Sequence, residues 1–441
     1  MGVDLLTRLG AARLLAEGID DDMPGKPLLD DVPVRGFFPD DFYRSEFFLA
    51  WSTMMGPLPD HSAIEFRRYL LRFLHVTPCV DTMKDVWRMP LNQDDGVALP
   101  IREWLETREW FDHSGKGVEF RCNTTVEDVT FRKVGGGVRA DSIRLKGDAK
   151  PRPIDAGDYV FITLGSQTAN LSIGKDDEPP QPVHEPSKAW SLWSNIKNNA
   201  EAIGRYDFGD PKPFFDSDDL KPLKPGDVEK DPFLSTWVTF TVTEKGQTFL
   251  KRLQKLTGDP SLNQGLVTLI DSPWMITVSP FPEKHFLNQP DGVSAWWGFS
   301  LCHDKSGNPN EPGGIGKTIT ECTGREILTE TIRQFGFQSD EALILSQSVC
   351  IPCLLPNAGS VWMRRKRADR PNVVPEGAEN FAFLGQFCEM PFDTMFTMEY
   401  SIRSARQAVV GLFNVANFEP PRVYQGDAAA MLAVLERFVF H

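Results

Sequence analysis

The chain has 441 residues, 41% of them hydrophobic, which is enough for a large core divided over two or three domains. Its formal charge of −14 excludes nucleic acid as a general partner, because phosphate binding is driven by Lys and Arg. No apolar run spans a bilayer, the opening MGVDLLTRLGAARLLAEGIDDD lacks the apolar middle of a signal peptide, and Leu6 stands where a myristoylation signal prefers Ser or Thr, so a soluble cytoplasmic protein is expected.

Along the chain, FYRSEFFLAWSTMMGPLPDHSAIEFRRYLLRFLHVT (42–77) reads as two amphipathic helices broken at Gly56-Pro57-Leu58-Pro59. Ser62 or Asp60 caps the second, Glu65 completes a capping box, and Phe66, Tyr69 and Phe73 form a core stripe. Another helix is expected from Gly96 to Thr107. GVEFRCNTTVEDVTFRKVGGGVRADSIRLKG then alternates apolar and polar residues around Gly135-Gly136-Gly137, a β-hairpin pattern. A buried strand over Asp158–Thr163 stops at Leu164-Gly165-Ser166. Residues 171–232 read as loop-rich, with helix around Trp190–Gly204. Strand-like runs at Thr236–Val242, Gly265–Ile270, Trp274–Val278 and Ser294–Leu301 predict a second, antiparallel sheet. Cys322–Gly336 reads as helix, and Asn380–Gly385 as a strand followed by a helix over TMFTMEYSIRSARQAVVGLF.

Seven scattered cysteines (79, 122, 302, 322, 350, 353 and 388) do not form a disulfide framework and are read as reduced thiols. The pair C-I-P-C at Cys350 and Cys353 has no second CxxC and reads as small buried hydrophobes. EPGGIGKTITECTG (311–324) resembles a phosphate loop, with Gly313, Gly314, Gly316, Lys317 and Thr318 in place. A phosphate loop must follow directly from a buried strand, yet HDKSGNPNEP separates this one from the nearest strand, and Glu311 replaces the first Gly. It is read as a surface loop.

The strand–Gly–helix unit at 380–410 is more telling. Its turn at Gly385 lets a ligand approach the backbone, and a helix beginning near Asp393-Thr394 offers free N–H groups to an anionic ligand. The stretch DRPNVVPEGAENFAFLGQFCEMPFDTMFTMEYSIRSARQAV resembles the C-terminal flavin-binding segment of the oleate hydratases, once called myosin-cross-reactive antigens. Similar to that family, in the same order, are FYRSEFFLAWSTMMGPLPDHSAIEFRRYLLRF, LNQDDGVALPIREWLE, DYVFITLGSQTANLSIG, Val267–Met275, WWGFSLCHDKSGN, TECTGREIL and CIPCLLPNAGSVWMRRKRADRP. The likeness covers nearly the whole chain.

The resemblance implies an α/β (α+β) FAD-binding fold of two lobes. On that basis residues 1–110 are expected in a helical part of the substrate lobe and 111–175 in the FAD lobe. Residues 176–345 would form the substrate lobe with its second sheet, 346–410 the C-terminal FAD segment, and 411–441 a C-terminal helix. The implied activity is that of a hydro-lyase adding water to the cis double bond of an unsaturated fatty acid such as oleate, giving a 10-hydroxy acid, with FAD as a non-redox cofactor. Val126 matches a position whose backbone meets the adenine side of the flavin. Ser166 and the turn at Gly385 match flavin contacts, and Asp393 and Thr397 match polar positions at the head of the last helix. Ordinary turn and cap chemistry is the competing reading for each.

Three departures from the family stand out. No Gly-rich dinucleotide fingerprint precedes the first helices, since Gly2 and Gly10 sit in a charged, helix-like stretch. The family's Arg/Gly/Glu segment, which carries the water-activating Glu, has no counterpart. Where the family has Y-N-Q-Y-D with its candidate donor Tyr, this chain has Leu91-Asn92-Gln93-Asp94-Asp95. Asp94 is the remaining candidate donor, provided it is buried and kept neutral; a solvated acidic loop is the alternative. The part of the flavin lobe formed by the fingerprint is therefore expected to be missing. A non-catalytic fatty-acid- or flavin-binding relative is the alternative function, and metal is not expected. A fatty substrate implies visits to a membrane surface, and DAAAMLAVLERFVF (427–440) reads as an amphipathic helix for core packing or peripheral lipid contact. Dimerisation is common in the family, but no residue pattern here establishes a homodimer.

Overall fold

The Ser45 hydroxyl accepts the Phe48 N–H at 3.2 Å and so opens helix α1 (Glu46–Met55), which ends where Gly56 turns left-handed at φ 87°. The computed structural model describes residues 10–11, 13–15, 29, 31–73, 89–107, 118–183, 187–215, 234–259, 265–301, 307 and 314–424. The 427–440 tail, Cys79, Cys302 and Gly313 lie outside the described residues. Pro57 and Pro59 break the helical run, and α2 (Ala63–Phe73) follows. Within the break His61 is fully buried; its Nδ1 accepts the Leu58 N–H at 2.9 Å and its Nε2 lies 2.9 Å from the Leu234 carbonyl.

Helix α2 does not use the expected capping box. Asp60 pairs instead with Arg35, and the Glu65 carboxylate turns into the interior to meet two arginines from residues 365–370. The stripe is core, as expected: Phe66 and Tyr69 are buried, and Phe73 packs against them from a half-buried position. Helix α3 (Leu99–Thr107) is preceded by a π turn at Asp94–Ala98.

The hairpin forms as its alternation predicts. β1 (Val126–Val134) pairs antiparallel with β2 (Gly137–Leu145), turning at Gly135 with φ 57°, and β3 (Arg152–Pro153) adds to β2. β4 (Val160–Thr163) runs parallel to β11 (Phe381–Leu384). The remaining strands are β5 (Ser172–Ile173), β6 (Trp237–Lys245), β7 (Val267–Thr268), β8 (Thr277–Pro280), β9 (Val293–Ser300) and β10 (Ser348–Leu355). They form one antiparallel sheet in the order β5-β10-β6-β9-β8-β7. The α+β architecture is the one expected, with helices α4 (Lys188–Ala202), α5 (Thr248–Thr257), α6 (Gly324–Gln334), α7 (Glu341–Gln347) and α8 (Met398–Phe413).

Strand β10 was not foreseen, because Pro352 argues against a central strand. The proline is tolerated where β5 ends: its carbonyl accepts the Gly174 N–H at 2.8 Å, so its missing donor falls at the end of that ladder. Cys350 and Cys353, three apart on β10, project to opposite faces and cannot act as a pair. Burial raises the thiol pKa of both, and Cys350 is wholly inside.

The buried side chains gather in separate hydrophobic cores. Helices α1, α2 and α4, expected with the substrate lobe, share one core with the hairpin, β4, β11 and α8, through residues such as Phe66, Trp190, Trp193, Phe381 and Tyr400. A second core covers one face of the six-stranded sheet with α5, α6 and α7; Phe249 stacks on Trp296 there at 4.3 Å. In the described part of GGIGKT, residues 314–318, the polar side chains are taken up by neighbours. Lys317 pairs with Glu326 at 2.6 Å, and Thr318 exchanges capping hydrogen bonds with Glu321 around a short 3-10 turn.

Candidate functional site

In parallel sheets, ligands bind beyond the carboxyl ends of the strands. Here β4 and β11 end side by side, Thr163 opposite Leu384, and each is followed by a left-handed glycine: Gly165 at φ 61° and Gly385 at φ 89°. The two glycines also permit close packing. A Cβ on Gly165 would lie 2.7 Å from Phe387 and 2.8 Å from Trp190, and one on Gly385 would lie 2.9 Å from Thr163. The Gly385 N–H is accepted by Ser404 of α8 at 3.1 Å, which fixes the strand end to the helix.

Between Gly385 and α8 the chain makes a turn that many side chains hold. Gln386 donates to the Thr397 carbonyl and to Ser401, both at 2.8 Å, and accepts the Phe396 N–H. Tyr69 donates to the Met395 carbonyl; Tyr400 donates to the Cys388 carbonyl at 2.7 Å and accepts the Met390 N–H at 3.1 Å. Phe392 and Phe396 both adopt left-handed backbone, φ 67° and 71°, which bulky residues rarely do.

The last helix was expected to begin near Asp393-Thr394, but left-handed Phe396 interrupts it, and α8 starts at Met398 with Thr397 as its cap. The Thr397 hydroxyl accepts the Tyr400 N–H at 3.2 Å and donates to the Thr394 carbonyl at 2.9 Å. Asp393 is buried, accepting the Thr394 N–H at 2.9 Å and pairing with Arg403 at 2.7 Å. Burial raises its carboxyl pKa against the opposing pull of these partners. Both residues therefore hold the turn in shape.

The other predicted positions are scattered. Ser166 follows Gly165 at the strand end, 3.1 Å from the Thr168 hydroxyl. Val126 opens β1 opposite Leu145, half-buried against the first core. Asp94 is exposed; its N–H bonds to Asn92, while the neighbouring Asp95 accepts from Asn92 at 2.6 Å and from the Leu287 N–H at 3.0 Å.

Behind the turn lies a buried ionic lattice that sequence reading missed. Glu65 receives Arg365 at 2.8 Å and Arg370 at 2.9 Å; Glu389 receives Arg68 at 2.7 Å and Arg365 at 3.0 Å. The five side chains are at most 4% exposed and carry a net charge of +1 from three arginines and two glutamates. Burial alone would raise the Glu389 pKa, but the three guanidiniums outweigh it and bring it down to about 2. One local signal existed: Glu65 and Arg68, three apart, share a face of a helix whose apolar stripe marks it as internal.

The second face of the six-stranded sheet mixes aromatic and aliphatic side chains with threonines and is partly covered: Trp237 and Phe299 are buried, while Thr241, Trp297, Ile351 and Leu355 are half-buried. Trp237, Thr241, Trp297, Phe299, Ile351 and Leu355 point to it by strand alternation. Trp297 stacks on Phe299 at 4.8 Å and Trp237 on Phe299 at 5.6 Å. At one end Phe396, from the turn after Gly385, stacks on Trp237 at 5.3 Å.

Together these elements define a two-core α+β protein with a held turn at parallel strand ends, abutting an aromatic sheet face. The chain belongs to the MCRA family, whose model matches residues 23–410. It is similar to an oleate hydratase of Streptococcus pyogenes serotype M49 (strain NZ131), 32% identical over 397 residues, covering 88% of this chain and 62% of that protein. It is also similar to a linoleate hydratase of Lactiplantibacillus plantarum, 26% identical over 407 residues, covering 86% and 66%. The chain thus spans less than two thirds of the length of either relative. Among the described residues no helix is long and apolar enough to cross a membrane, and no cluster of His, Cys, Asp and Glu could hold a metal ion.

Proposed function

We propose that this protein takes part in hydrating unsaturated fatty acids, as the names of its relatives indicate for those proteins. The observation that carries this reading is the partly covered aromatic face of the sheet meeting, at Phe396, the turn at the ends of β4 and β11. An acyl chain needs such an apolar surface, and a planar cofactor suits the strand ends beside it. Hydration breaks the alkene π bond and one O–H bond of water and forms one C–H and one C–O bond, with no net redox change.

FAD would be held here through backbone rather than side chains. The Gly165-Ser166 and Gly385-Gln386 turns would face it, with Val126 toward the adenine, while Asp393 and Thr397 keep the turn in shape. The flavin when bound supplies an ordered planar wall and no electron transfer. Protonating an alkene requires a neutral, desolvated acid. Asp94 would meet that requirement only when a ligand or another segment covers it. Its exposure favours a second reading, a fatty-acid- or flavin-binding protein without catalysis.

Incubation with oleate, with and without FAD, followed by mass spectrometry separates the two readings. A product one water heavier supports hydration, and its loss in Asp94→Asn would make Asp94 the donor. Saturable oleate binding without product supports the second reading. Neither product nor binding overturns both.

A further inference from the structure

Phe396 is the one half-buried aromatic residue, among those described, that packs against both the first core and the aromatic cluster at the sheet face. It does so from left-handed backbone, φ 71°, a conformation bulky side chains avoid unless their surroundings impose it. Gln386 accepts its N–H, Tyr69 holds the preceding carbonyl at Met395, and Thr397 just after it caps α8. The ring is thereby presented to Trp237, at the end of the face formed by Trp237, Phe299 and Trp297. Trp237 cannot recede, because its own ring lies hard against Gly56, where an added Cβ would sit 2.3 Å away.

We propose that Phe396 is a specificity-determining residue: it closes the sheet face at the turn and so sets how far an acyl chain can extend along it. The proposal rests on the fatty-acid reading above and adds the residue that selects among chain lengths. The strained backbone keeps the ring in place as a rigid stop, where a flexible side chain would yield to a longer ligand. One methylene gained or lost in a closed apolar site changes affinity about ten-fold or more.

The test is calorimetric binding of cis-monounsaturated fatty acids of increasing chain length, below their critical micelle concentrations, to the full chain and its Phe396 variants. Phe396→Ala should move the optimum to longer chains, favouring them over the parental optimum by about ten-fold. Phe396→Leu should move it less in the same direction, and Phe396→Trp should move it to shorter chains. Thermal unfolding confirms that each variant is folded, and the Leu variant keeps the test valid if Ala is not. An unchanged length profile in folded variants that still bind fatty acid overturns the role of Phe396 and leaves the fatty-acid reading standing. No binding of any chain length by the parent protein overturns both.

Discussion

Arg365 meets Glu65, 300 positions earlier in the chain, through both Nε at 3.0 Å and Nη2 at 2.8 Å on a single carboxylate oxygen, with neither side chain open to solvent. A buried pair of this kind is weak evidence for net stability, but breaking it strands a charge. Its position ties α2 to the segment leading into β11, and through Glu389 to the turn itself. The lattice is therefore the frame on which the candidate site is mounted.

Arg365→Met should destabilise the fold by about 3–5 kcal/mol, because Glu65 and Glu389 each lose a buried partner. Urea denaturation measures this. Adding Glu65→Leu to Arg365→Met should cost less than the sum of the single changes, since the two residues share one interaction. Strict additivity would show that the lattice does not act as a unit.

The pH dependence of stability should have two steps. Burial lowers the His61 pKa from 6.5 to about 4, so the unfolded state takes up its proton first. Stability is fully present above pH 6.5 and falls as the pH drops toward 4, by roughly 3 kcal/mol at about 1.4 kcal/mol per pKa unit. Glu389, lowered from 4.5 to about 2, adds a second loss as the pH falls from 4.5 toward 2. Urea midpoints from pH 7.5 to 4.5 test the first step, and His61→Gln should flatten it.

Two substitutions in the turn should have opposite signs. Gly385→Ala combines left-handed backbone with a Cβ 2.9 Å from Thr163, and should cost about 2 kcal/mol. Phe392→Gly relieves left-handed strain at an exposed ring and should stabilise by about 0.5–1 kcal/mol. Thermal unfolding of the two variants beside the parent protein reads the signs directly.

Lys317→Ala should leave stability essentially unchanged, because it removes only an exposed ion pair to Glu326. It should equally leave any background ATP turnover unchanged. A loss of nucleotide hydrolysis on this substitution would restore the phosphate-loop reading.

Local elements were legible in the sequence because their signals are local. Alternation with a Gly turn made the hairpin, and an apolar run ending on Gly385 made β11. Where the chain broke a local rule, the reading failed: Pro352 concealed a central strand, and a helix drawn from Asp393 took no account of left-handed Phe396. The individual strands, helices and strand-end glycines were thus legible in the residue pattern, while the α+β class came with the family resemblance. Tertiary structure decided which charges are buried together, which helices share a core with β4 and β11, and that Asp393 pairs with Arg403. The reason is physical: backbone periodicity is set by neighbours a few residues away, whereas a pair such as Glu65 and Arg365 exists only once 300 residues of chain have been folded between them.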